Sequence, residues 1–315
     1  MPALTVATLL LLAAAICAAW LPAPSPGAAT AFRSAHFPSA GRGPHAPGAA
    51  RWLPWLLALA GAGCSIAAQL LAPWAPGWPL LLAGLVWGMT RHSQRSVRTI
   101  AGVLAAVLAL ALATHRLPGF YNPLLLDGVV LSDHAPPFSQ YGNLDKGAVG
   151  LVLVALLCRR AGSWRALGGA LRRAAPVAAI TLVAVFGLGL VLGLVQPVFK
   201  FTSVVVQFLL VNLFFTVVAE EAFFRGFVQQ PLAAALARYR WGALAAVLCS
   251  ALLFGLVHVG GGPLYALLAT VAGLGYAWAY ARTGMIEASI LLHLLVNGVH
   301  VIGFTYPYFL KAHGA

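Results

Sequence analysis

Apolar residues gather along the 315-residue chain in long runs separated by short polar stretches. Ten such runs cover approximately residues 3–21, 52–72, 78–90, 99–115, 147–159, 175–196, 203–229, 242–259, 264–281 and 286–305. Several reach the roughly 20 residues that a helix needs to cross the hydrocarbon core of a bilayer. The pattern predicts an all-α protein, a polytopic transmembrane bundle of about eight to ten helices. Two runs, 78–90 and 147–159, are short and fit tilted, re-entrant or interfacial segments.

The stretches between the runs divide the chain further. Residues 1–21 read as a first transmembrane helix or signal anchor, because no positive segment precedes the apolar core. Residues 22–51, rich in Pro, Ala, Gly and Ser, read as a flexible linker. Residues 52–174 are expected to hold N-terminal membrane helices with an ordered extramembrane loop at 116–146. That loop carries Asp127, Asp133 and Asp145, half of the acidic residues, and four prolines. Residues 175–305 form a C-terminal membrane unit of closely spaced runs, and 306–315 a tail.

Composition supports the membrane reading. The chain is 61% hydrophobic and 8% charged, against roughly 25% charged in ordinary soluble domains. The net charge of +13 does not point to nucleic acid, since the basic residues form no single patch. They fall in small groups between runs, as expected of cytoplasmic loops. Arg33, Arg42, Arg51, Arg91, Arg95, Arg98, Arg159, Arg160, Arg165, Arg172, Arg173, Arg238, Arg240 and Arg282 collect on one side. Arg116, Lys146, Lys200 and Lys311 collect on the other, which puts both termini on the non-cytoplasmic side. The four cysteines, each within an apolar run, share no metal-ligand spacing and read as small buried hydrophobes. In the sixth run Gly187, Gly189 and Gly193 would let a neighbouring helix approach closely.

Ionisable residues inside a membrane helix mark function by default. Two of the three glutamates are adjacent in FFTVVAEEAFFRGF, residues 214–227. Glu221 and Arg225, four apart, meet on one helical face and can pair. Glu220 points about 100° away, has no partner on its own helix, and is suited to exchanging a proton with water. The plainer reading is an ion-pair cluster that only locks helices together. In LLFGLVHVGGG, residues 252–262, Phe254 and His258 share a face before a glycine-rich turn. In SILLHLLVNGVH, residues 289–300, His293 and Asn297 share another, with His300 a further turn along. A lone histidine on an apolar helix is more often a satisfied core residue. Together, however, these groups can do hydrolysis. Glu220 and His258 can deprotonate a water, while His293 and Asn297 can donate to a tetrahedral oxyanion. No nucleophile motif beside a histidine suggests covalent catalysis, and the H-E-x-x-H zinc pattern is absent.

The motifs EExxxR (Glu220, Glu221, Arg225), FxxxH (Phe254, His258) and HxxxN (His293, Asn297), in that order on successive helices, resemble the CPBP family. That family comprises type II CAAX prenyl proteases and bacteriocin-processing or Abi membrane peptidases. The resemblance covers roughly residues 175–305 and implies endoproteolysis within the membrane. It would make Glu220 and His258 the water-activating pair, His293 and Asn297 the oxyanion side, and Glu221 and Arg225 supporting residues. No cofactor is expected, although Glu220, His258 and His293 could alternatively hold zinc with an open water position.

Other classes remain to be separated from this one. Intramembrane Glu and His also mark transporters, but no matching second half is found here. A non-catalytic scaffold would more readily have lost a motif residue. The expected partners are the bilayer and a membrane-associated peptide or protein, with no nucleic acid. The Ala-, Gly- and Arg-rich composition suggests a bacterial plasma membrane. One geometric difficulty accompanies the spans. Glu220 falls near mid-membrane, His293 near the cytoplasmic end and His258 near the opposite end, whereas a single site needs one depth.

Overall fold

The computed structural model describes residues 1–20 and 52–310. The linker expected at 22–51, with Arg33, Arg42 and Arg51, and also Lys311 in the tail, lie outside the described residues. Each of the ten apolar runs is helical: α1 (Ala3–Trp20), α2 (Leu53–Ala67), α3 (Gly77–Arg91), α4 (Arg95–Ala113), α5 (Leu144–Leu156), α6 (Trp164–Val191), α7 (Ser203–Ala235), α8 (Gly242–Leu256), α9 (Pro263–Thr283) and α10 (Ile286–Gly303). Six of them, α1, α4, α6, α7, α9 and α10, are long and apolar enough to cross a membrane. The other four have 13 to 15 residues, or about 20–22 Å at 1.5 Å per residue, short of the roughly 30 Å core. Large apolar side chains such as Leu56, Leu80, Ile180 and Val183 stand on the outer surface. Water would penalise that belt, whereas lipid does not. The protein is a polytopic helical membrane bundle.

Local chemistry sets the ends. Ser163 caps α6, its Oγ accepting from the Ala166 amide at 3.1 Å. Gly284 closes α9 in the left-handed conformation, at φ 66°, where a side chain would be strained. α6 runs unbroken from Trp164 to Val191, across the boundary drawn at 174/175 from the sequence.

The basic bias has a three-dimensional counterpart. At one end the α5–α6 connection meets the start of α10: the Ile286 amide donates to Arg159 O at 3.1 Å, and the Ala161 amide to Glu287 Oε1 at 2.6 Å. At the other end, the loop expected at 116–146 contains an antiparallel hairpin, β1 (Leu124–Val129) and β2 (Phe138–Tyr141), with Leu126 opposite Gln140 and Val129 opposite Phe138. Residues after α10 tie that loop down. The Tyr306 amide donates to Ser132 Oγ at 3.0 Å and the Leu310 amide to His134 O at 2.7 Å. Lys200, in the α6–α7 connection, donates to Phe304 O, and burial pushes its ammonium below the ordinary lysine range.

α5 sits in the middle of the bundle. Most of its residues are buried, including Asp145 in its first turn. It lies almost backbone to backbone against α7. A Cβ placed on Gly150 would come within 3.1 Å of the Ala219 nitrogen, so only glycine permits this approach. A helix from the N-terminal half is thereby held beside the residues of the EExxxR motif.

Candidate active site

α7 is not a uniform α-helix. Leu213–Val217 and Ala222–Gln229 are wound as π-helix, and between them Val218–Glu221 forms one α-turn that carries both carboxylates. π-turns inside α-helices often sit at functional sites.

Glu221 is fully buried and anchors a network. Its Oε2 accepts from Arg225 Nε at 2.9 Å, the expected i, i+4 pair, and its Oε1 meets His293 Nδ1 at 2.9 Å. Arg225, also fully buried, donates from Nη1 to Ser250 Oγ at 2.6 Å, and Ser250 passes a bond to Phe224 O at 2.9 Å. Phe254 and Tyr276 flank the guanidinium, its carbon 5.3 and 5.9 Å from their ring centroids. Two charges in such a place are tolerated because each is paired and further hydrogen-bonded.

The histidines converge on this network. The His293 ring stacks on Tyr276, centroids 4.4 Å apart, and lies 5.6 Å from Phe254. His258 lies 4.7 Å from the opposite neighbour of that ring, Phe254 again serving as the spacer, and its Nδ1 is 2.6 Å from Phe254 O. A carbonyl only accepts, so Nδ1 carries the hydrogen and Nε2 is left as the acceptor. Likewise the Glu221 carboxylate fixes the hydrogen of His293 on Nδ1. Asn297 donates from Nδ2 to Asn212 Oδ1 at 2.9 Å.

The depth difficulty resolves through contact. The 2.9 Å Glu221–His293 bond holds those two residues at one level, and Phe254, beside both histidine rings, brings His258 to it. α8 ends at Leu256, so His258 stands just beyond its last turn.

Glu220 departs from expectation. Its Oε1 lies 2.8 Å from Lys146 Nζ, both side chains about 15% exposed. The carboxylate without a partner on its own helix has one from α5. Lys146 follows Asp145, which is held by His115 Nδ1 at 2.7 Å and by Asn122 Nδ2 at 3.1 Å. The loop before α5 thus fixes the first turn that presents Lys146. Sequence reading missed Lys146, Asn212, Ser250 and Tyr276. For Asn212 a signal existed: a lone amide in an apolar run, eight residues before Glu220.

The zinc alternative at Glu220, His258 and His293 meets mixed chemistry here. Lys146 already puts a positive charge on Glu220, whereas the Nδ1 contacts of both histidines leave each Nε2 open to a metal as to a water. Among the described residues no three His, Cys, Asp or Glu side chains come together as a metal cluster.

A buried Glu–Arg–His network, with a second carboxylate and an amide, thus lies on α7 and α10 of a membrane bundle. Residues 202–299 match the family described as "Type II CAAX prenyl endopeptidase Rce1-like", consistent with a CPBP family protease. The match spans Ser203 to Asn297 and so takes in all three motifs. Comparison with curated proteins and with solved structures found no match.

Proposed function

We propose that the protein is an intramembrane endopeptidase of the glutamate type, in which Glu220 and His258 activate a water and His293 and Asn297 hold the oxyanion. The observation that carries this reading is the convergence of His258 and His293 on Phe254, with the Glu221–His293 bond fixing α10 to α7 beside Glu220. The family match supports the reaction class. Residues 175–305 are read as the catalytic unit and the preceding helices as its support, in the plasma membrane of a bacterium.

The chemistry follows from the contacts. Lys146 holds its ammonium 2.8 Å from the Glu220 carboxylate. With the free Nε2 of His258, that carboxylate orients a water and takes its proton as the oxygen attacks the peptide carbonyl. Negative charge then forms on the carbonyl oxygen. His293, oriented by Glu221 through Nδ1, and the second N–H of Asn297 stabilise that oxygen. Glu220 returns the proton to the departing amine, and the peptide bond breaks without a covalent enzyme intermediate. The substrate is a membrane-associated peptide or protein.

The reading is tested with purified protein in lipid vesicles, wild type against Glu220→Ala, mixed with membrane proteins of the host. New protein termini are read by mass spectrometry, with and without chelator. Cleavage lost in Glu220→Ala and retained under chelation is the expected result. Cleavage abolished by chelator and restored by zinc would move the same residues into a metalloprotease. Identical termini from both proteins would end the peptidase reading and return the transporter and the scaffold.

A further inference from the structure

At the hairpin end of the bundle a cleft of about 510 Å³ opens between β2, the start of α5 and α7. Side chains of a strand alternate from one face to the other. All four residues of β2, Phe138 to Tyr141, nevertheless line this one cleft. Residues of both faces thus contribute to the wall, as they do where a strand turns its edge to a cavity. The opposite edge of β2 pairs with β1 in a two-stranded sheet, so the edge facing the cleft has no strand beside it among the described residues. Gln140 fastens β2 to the catalytic helix, its Nε2 donating to Phe208 O at 3.2 Å.

The cleft leads to the site by two routes. Asn212 and Thr216, which line it, stand eight and four residues before Glu220 on α7. Asn143, also in the lining, immediately precedes α5 and stands three residues before Lys146. The cavity wall thus ends about 6 Å along α7 from Glu220 and about 5 Å along the start of α5 from Lys146. Hydroxyls, amides and aromatic rings make up most of its wall, a surface unsuited to a lipid chain and suited to an uncharged polypeptide. An unpaired strand edge adds a row of backbone donors and acceptors.

We propose that this cleft binds the scissile region of the substrate as an extended polypeptide, added to β2 as a third strand and led along α7 to Glu220. The proposal rests on the peptidase reading and names its substrate class: an uncharged, polar extramembrane segment beside a membrane anchor, on the side away from the arginine clusters. Main-chain hydrogen bonds supply the affinity in such strand addition, so the site is tolerant of side-chain sequence and intolerant of a blocked backbone.

The test uses the full chain with Glu220→Gln in lipid vesicles, with Tyr141→p-benzoylphenylalanine as a photo-crosslinker in the cleft. A second protein carries the crosslinker at Val130, which is exposed on the hairpin and outside the lining. The probe is a Leu-rich helical anchor bearing a tail of Ser, Thr, Val and Asn, and its twin has alternate tail amides N-methylated. Position 141 is expected to capture the plain tail, with about tenfold less capture of the N-methylated one, as loss of a few backbone hydrogen bonds implies. Equal capture of the two tails, capture only at Val130, or no capture overturns the cleft proposal. Cleavage of the plain probe is measured separately with Glu220 intact. Capture without cleavage counts against the peptidase reading and leaves the cleft standing, whereas cleavage without backbone-dependent capture does the reverse.

Discussion

Lys146 Nζ lies 2.8 Å from Glu220 Oε1, across 74 positions of sequence. A charge-assisted hydrogen bond of this kind contributes about 1.5–3 kcal/mol, or roughly ten- to a hundredfold in a rate that depends on it. Lys146→Met is expected to lower kcat by that factor with little change in KM, and Lys146→Arg to recover part of it. Turnover of the cleaved host proteins by the reconstituted variants measures this. A rise in KM alone would place Lys146 in substrate binding.

Arg225 and Glu221 are both fully buried. Removing the cation strands a carboxylate, which costs about 3–5 kcal/mol in comparable pairs. Arg225→Met should therefore unfold at markedly lower temperature in detergent, while Arg225→Met combined with Glu221→Gln should recover part of the loss. Arg225→Lys should not rescue, because a single ammonium cannot serve Glu221 and Ser250 in the fork that a guanidinium provides.

Asn297 and Asn212 share one hydrogen bond, yet only Asn297 is placed on the oxyanion side. Loss of one such donor costs about 10²–10³ in kcat. Asn212→Ala removes only an orienting bond and is expected to cost severalfold. Equal losses in the two variants, measured on the same substrate, would count against a direct role for Asn297.

Glycine to alanine within a helix ordinarily stabilises by roughly 0.5–1 kcal/mol. At Gly63, where an added Cβ meets nothing within 4 Å, that sign is expected. At Gly150 the same change meets backbone at 3.1 Å, and destabilisation of about 1–3 kcal/mol is expected from overpacking. Thermal unfolding of the two variants decides, and Gly150→Ala should also lose activity as Lys146 is carried away from Glu220.

Much of this molecule is legible in its sequence, for physical reasons. Lipid demands continuous apolar helices, so the six long spans could be found from length and hydropathy. Glu221 and Arg225 could be paired because helical geometry ties residues four apart. Lys146 could not be paired with Glu220, because its contact depends on where α5 packs and no local spacing encodes that. Read only as a loop charge, it counted towards orientation. The β-hairpin was hidden among prolines and acidic residues, in a loop to which no chemistry was assigned. The depth conflict arose from treating each helix as a full crossing, whereas α8 is short and the Glu221–His293 contact depends on packing that no spacing encodes.

The two wide turns of α7 have a genetic corollary. Each closes its hydrogen bonds one residue further on than an α-turn, so each holds in effect one residue more than regular winding needs. Deleting a single residue between Leu213 and Val217 removes only that surplus, so the stretch relaxes to ordinary winding and the turns on either side keep nearly their present facing. The helix would still span, and Asn212 would stay on the side of Asn297. The same deletion in the regular turns of Ser203–Asn212 has no surplus to remove and swings everything upstream of it by about 100°. A one-codon deletion in the wide turn is thus one that this helix is built to absorb.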